Sequence, residues 1–117
     1  MSYIDGFVAA VPVANREQYR KYADEAAKLF EENGALKVVE CWGEDVPEGQ
    51  VTSFSMAVQR KDDEAVVFSW IIWPSKQARN AAWDKMRNDP RMQPDKRPMP
   101  FDGKRMIYGG FEPIVER

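Results

Sequence analysis

Histidine is absent from the 117-residue sequence, and cysteine occurs once, at Cys41. Without an imidazole there is no Ser-His-Asp or Cys-His relay, no histidine-ligated haem and no zinc site of the usual nitrogen and sulfur donors. A single cysteine builds no internal disulfide framework, which agrees with a reducing compartment. Long hydrophobic runs are missing too: the longest, Ala65 to Trp73, is about half of the roughly 20 residues a membrane-spanning helix needs and reads as a strand. The opening residues MSYIDGFVAAVPV carry no basic leader and hold Asp5 inside their apolar stretch, so no secretory signal and a cytoplasmic location are expected. Phosphate loops of the GxxxxGKS/T or GxGxxG kind and EF-hand carboxylate spacing are also lacking. What is left for chemistry is proton transfer by carboxylates and binding by aromatics and arginines, and no metal or cofactor is implied.

Hydrophobic residues make up 44% and charged residues 31% of the chain, the balance of a globular protein rather than a disordered or membrane one. Its length suits a single domain, 1–117, with limited burial that a partner subunit would extend. The net charge of −2 argues against a protein that coats nucleic acid. The charge is unevenly spread. From Lys76 to Arg105 there are nine Lys or Arg against four Asp or Glu, and elsewhere eight against fifteen. This basic stretch reads first as solvated loop surface and second as a surface for an anionic partner.

Tyr3 to Val11 alternates as a half-buried strand. A helix follows, with Asn15 as its expected N-cap, Gln18 completing a capping box, an apolar stripe from Tyr19 through Ala23 and Ala26 to Phe30, and Asn33-Gly34 as the stop. Ala35 to Gly43 forms a second strand, with Leu36, Val38, Glu40 and Trp42 on one face and Lys37, Val39 and Cys41 on the other. Phe54 to Arg60 is expected to be a short strand or extended connection. Ala65 to Trp73, apolar on both sides, belongs at the sheet centre. Ser75 caps a second helix reaching about Asn88, and Pro90 blocks its continuation. Arg91 to Lys104, with Pro94, Pro98 and Pro100, reads as a stiff loop. Arg105 to Glu112 is a last strand in which Gly109-Gly110 marks a bulge or a close approach.

This order is that of an α+β ferredoxin-like split βαβ sandwich, a four-stranded antiparallel sheet with two helices on one face. Trp42, Trp70, Trp73 and Phe7 are too many large groups for helix coverage alone. They imply an open sheet face buried by a second copy, hence a homodimer forming a dimeric α/β barrel with a cavity between its sheets.

The strings YIDGFV, VVECWGEDVP, VVFSWIIWPSK and MPFDGKRMIYGGFEP, which span nearly the whole chain, resemble the YbaA-like family of conserved bacterial proteins of unknown function. The resemblance implies the fold of the dimeric α/β-barrel superfamily, which includes cofactor-free monooxygenases and haem-degrading enzymes. It transfers no active site to residues of this chain.

Five residues are candidates for a ligand site or cavity lining: Asp5, Glu40, Trp70, Arg105 and Tyr108. With first and last strands adjacent, Asp5 is expected to meet Arg105 or Tyr108 on the open face, as a tuned carboxylate or as an ion pair at the subunit interface. The tryptophans, with Tyr3 and Tyr108, are expected mainly as core and dimer contacts, or as a stacking surface for a flat ligand. Cys41 should be a buried, inert thiol. Asp102-Gly103 suits a tight turn, beside which Lys104 and Arg105 can grip a carboxylate or phosphate. Three functions follow. The first is a homodimer binding a small organic molecule between its subunits. The second is a cofactor-independent monooxygenase using Tyr108, Trp70, Asp5 and Arg105. The third is an accessory module binding RNA or protein through Lys76 to Arg105.

Overall fold

The computed structural model describes residues 1–93 and 95–117. Strands β1 (Tyr3–Pro12), β2 (Lys37–Trp42), β3 (Glu64–Trp73) and β4 (Ile107–Phe111) form one antiparallel sheet in the order β2-β3-β1-β4. Helix α1 (Arg16–Glu32) joins β1 to β2, a short helix α2 (Phe54–Ala57) lies between β2 and β3, and α3 (Lys76–Arg87) joins β3 to β4. This is the ferredoxin-like α+β topology, with the doubly apolar strand β3 in the interior as its composition requires.

Alternation decides what faces what. In β1, Tyr3, Asp5, Phe7, Ala9 and Val11 point to one side, opposite Trp73, Ile71, Ser69, Val67 and Ala65 of β3. On that side Leu29 and Phe30 of α1 meet Ala82 and Met86 of α3 over Ile71 and Trp73. Val11 and Val67 pack there with Tyr19 and Ala23. Trp73 is wholly enclosed, with Phe30 edge-on at 6.4 Å. Three residues expected on the open face, Phe7, Trp42 and Trp73, therefore lie on the helix side. Trp70 and Trp73 are an odd number of residues apart, so a strand must send them to opposite faces.

The other face carries Ile4, Gly6, Val8 and Ala10 opposite Ile72, Trp70, Phe68 and Val66. It is only partly bare. The segment expected to be extended instead forms α2, begun by Ser53, whose Oγ accepts a bond of 3.0 Å from the Met56 amide. Val58, just beyond, is fully buried on Val8, Ala10 and Val66. The covering segment is fastened by Arg105, whose Nη1 donates to the Gln59 carbonyl and to Glu64 Oε1, both at 2.8 Å.

Several local signals act as their chemistry suggests. Ser75 Oγ accepts from the Ala78 amide at 3.0 Å. Gly34, at φ +106°, ends α1 in a conformation that side-chain-bearing residues avoid. Asn15 stands at the N-cap of α1 as expected, but its side chain makes no capping bond: it ends a 3₁₀ turn, Val13–Asn15, and its side-chain amide donates to the Pro100 carbonyl at 2.9 Å. Arg105 sits in a 3₁₀ turn, Gly103–Arg105, rather than in β4. The register of β4 on β1 is unbroken through Gly109-Gly110, so the pair marks a close approach and not a bulge. A Cβ on Gly110 would lie 2.5 Å from the Tyr3 hydroxyl. The proline-rich stretch contains another 3₁₀ turn, Pro90–Met92, while Pro94 falls outside the described residues. Among the described residues, no helix is long and apolar enough to cross a membrane.

Candidate ligand-binding site

Beyond Val58, the open face holds an apolar hollow of about 640 Å³, lined by Ile4, Val8, Phe68, Trp70, Ile107 and Phe111, with Glu112 as its one charged neighbour among the described residues. Gly6 and Gly109 stand opposite each other across β1 and β4 and form a low floor. The Phe111 ring lies across both, 3.4 Å from where each Cβ would be, so an aromatic covers backbone that lacks side chains. Phe54, Phe68 and Trp70 form a row with centroids 5.9 and 5.5 Å apart. Phe68 is 42% and Phe111 59% exposed, so these rings meet solvent.

The five candidate residues fall into different places. Trp70 is in the hollow. Asp5 is on the helix side, 3% exposed, and meets neither Arg105 nor Tyr108. Its Oδ2 accepts from the indoles of Trp73 and Trp83, each at 2.9 Å, and its Oδ1 from Arg79 Nε at 3.0 Å and Nη2 at 2.8 Å. A buried carboxylate is tolerable only with such compensation. The bond to Asp5 in turn raises the pKa of Arg79. Tyr108 shares a helix-side cleft of about 840 Å³ with Asp5 but is 74% exposed and stacks on Phe7 at 6.5 Å.

Arg105 pairs with Glu64 at 2.6 Å and Asp102 at 3.0 Å. The hydrogen bonds from Arg105, with one from the Lys61 amide, lower the pKa of Glu64 against the effect of burial. Arg105 is thus a structural clamp and not an anion grip. The other arginines of the basic stretch are similarly committed: Arg79 to Asp5, Arg87 to Asp84, Arg91 to Asp89 and Glu32, and Arg97 to Glu25 and the Tyr22 ring.

Glu40 occupies a second helix-side cleft, of about 540 Å³, between α1 and β2. Tyr19 Oη donates to Glu40 Oε1 at 2.7 Å. Although Glu40 is exposed overall on its edge strand, loss of water around the carboxyl raises its pKa, opposed by the hydroxyls of Tyr19 and Ser69. Burial first, and the Glu40 charge second, push the Tyr19 phenol upward. Cys41 points to the opposite face and is half-buried, not fully buried as expected. Among the described residues, no group of three His, Cys, Asp or Glu is placed to hold a metal ion. Sequence reasoning missed Phe68, Phe111 and the glycine floor. Strict alternation from Trp70 and the YGGF string carried that signal.

Fold and hollow together define a ferredoxin-like α+β protein with an accessible apolar sheet face. The chain belongs to the family described as "Protein of unknown function (DUF1428)", whose model matches residues 2–103. It is 59% identical over 116 residues to "Uncharacterized protein YbaA" of Escherichia coli (strain K12), covering 99% of each chain, and equally to that protein in Shigella flexneri. Among solved structures it is similar to a mutant form of "SnoaB, a cofactor-independent oxygenase from Streptomyces nogalater", with a TM-score of 0.63, 12% identity, and coverage of 98% of this chain and 95% of that one. That likeness is one of fold.

Proposed function

We propose that this chain is a homodimer that binds a small, largely apolar organic molecule between the open faces of its two sheets. The observation that carries the reading is the hollow itself: exposed Phe68 and half-buried Trp70, in a row with the neighbouring Phe54, beside a glycine floor. Exposed apolar surface of this kind marks an interaction site. A copy related by a two-fold axis presents the same surface and is complementary in character. The molecule's extents of 38 × 38 × 20 Å describe a slab, and two slabs sheet to sheet make a body about as deep as it is wide. Each partner then has room for the roughly 800 Å² that a stable interface buries.

An oxygenase activity has less support, because the four residues it would use are divided: Asp5 and Tyr108 share a helix-side cleft, Trp70 lies in the open hollow, and Arg105 is paired with Glu64 and Asp102. An RNA-binding role has less still, since the arginines of the basic stretch are paired within the chain.

Sedimentation equilibrium tests the assembly. The expected mass is twice 13.5 kDa, and Phe68→Asp, at a position already in contact with solvent, is expected to give a folded monomer. A monomeric wild type overturns the dimer, and a variant that still dimerises overturns its sheet-to-sheet arrangement. For the ligand, 1-naphthol serves as probe. A concentration-dependent rise in Tm that Trp70→Ala abolishes is expected, and no rise removes the binding reading.

A further inference from the structure

The cleft between α1 and β2 presents two opposite charges that do not meet. Arg16 opens α1 and holds its guanidinium over the Trp42 ring, 5.2 Å from the centroid, which fixes a cation at one end. Glu40 lies two residues before Trp42 on the same strand and the same face, so its stem starts about 7 Å away by the rise of a strand. Among the described residues neither Arg16 nor Glu40 forms an ion pair. One Glu40 oxygen, Oε1, is taken by Tyr19. Ala23, Val38 and Val67 add apolar atoms to the cleft lining, which also holds Asp24, paired with Lys28 at 3.4 Å. Neighbouring Arg20 is neutralised by Glu17 at 2.7 Å.

We infer that this cleft binds a zwitterionic, amino-acid-like molecule, with its ammonium on Glu40, its carboxylate on Arg16 and an apolar side chain against Ala23, Val38 and Val67. A carboxylate in a partly dehydrated setting gains most from a cation that brings its own hydrogen-bond donors. An ammonium supplies these to Glu40. A guanidinium held on an indole offers its edge to a carboxylate in the fork arrangement that arginine favours. Tyr19, buried and donating to Glu40, fixes the carboxylate in place and acts as a positioning residue. The binding groups lie on α1 and β2, on the side of the sheet away from the open hollow, so this site does not depend on dimer formation or on the ligand proposed there.

The test is titration of ¹⁵N-labelled protein with L-phenylalanine, and separately with phenethylamine and 3-phenylpropanoate, which each keep one charge. L-Phenylalanine is expected to shift amide resonances of Arg16 to Ala23 and Val38 to Trp42 saturably, with the one-charge analogues at least about tenfold weaker, as loss of one charge-assisted contact implies. Glu40→Gln should abolish the preference for L-phenylalanine over 3-phenylpropanoate, and Arg16→Gln its preference over phenethylamine. Both substitutions are at exposed residues, and an unchanged spectrum elsewhere verifies folding. No saturable shift with L-phenylalanine, equal binding of all three compounds, or variants that keep the wild-type preferences would overturn the proposal.

Discussion

Asp5 and Glu40 are both carboxylates set in strands, and their surroundings send them to different ends. Asp5 is saturated by two indoles and a guanidinium, whereas Glu40 has the hydroxyls of Tyr19 and Ser69 and no cation. The raised pKa of Glu40 means that the folded state holds its proton more tightly than the unfolded chain. That contribution to stability is fully present below the ordinary value of 4.5 and is lost as pH rises through the raised one. Glu40→Gln keeps an acceptor for Tyr19 without the charge. It should stabilise the protein near neutral pH by on the order of 0.5 kcal/mol, small because water screens an exposed residue, and the gain should vanish in acid. Glu64 has the opposite sign. Its lowered pKa supplies stability above 4.5 that fades as pH falls through the depressed value, so Glu64→Gln should cost stability at neutral pH. Urea melts of the two variants across the acid range check both signs. Neither environment was legible in the sequence, because Asp5 meets Arg79 74 positions away and Tyr19 reaches Glu40 across 21.

Among the elements, those fixed by local chemistry could be read directly. The stripe of α1, the Ser75 cap and the Gly34 stop act over three or four residues and occur where their residues stand. The segment 54–60 misled because its pattern is short and its decisive event, Val58 closing on Val8, Ala10 and Val66, is a tertiary one. Asn15 took the expected N-cap position without the capping bond, its side chain being turned to Pro100 instead. Strand β4 allows a sharp comparison of two adjacent glycines. At Gly110 a methyl group would run into the Tyr3 hydroxyl at 2.5 Å and Arg79 Nη2 at 3.0 Å, and Arg79 is held by Asp5. Gly110→Ala should therefore cost about 1–3 kcal/mol. At Gly109 the nearest atom is the movable Phe111 ring at 3.4 Å, and Gly109→Ala should gain about 0.5 kcal/mol from a less flexible unfolded chain. Denaturation midpoints moving together, in either direction, would contradict this account.

For the whole molecule, the radius of gyration of 14.8 Å exceeds the roughly 13 Å typical of a chain this long, as a flat body requires. A leftover apolar face is expected from Phe7, Trp42, Trp70 and Trp73, but the helices cover three of these, and the face that remains is made by Trp70 with Phe68, Ile107 and Phe111. The sequence did not reveal which residues own that face, because register and parity are set by pairing between distant strands. The consequence is optical. Trp42, Trp73 and Trp83 are all on the helix side, and only Trp70 looks out from the uncovered surface. Intrinsic fluorescence thus contains one reporter of the open face beside three of the helix side. Subtracting the spectrum of Trp70→Phe from that of the native protein should isolate an emission that acrylamide quenches in dilute solution and that becomes shielded as concentration rises.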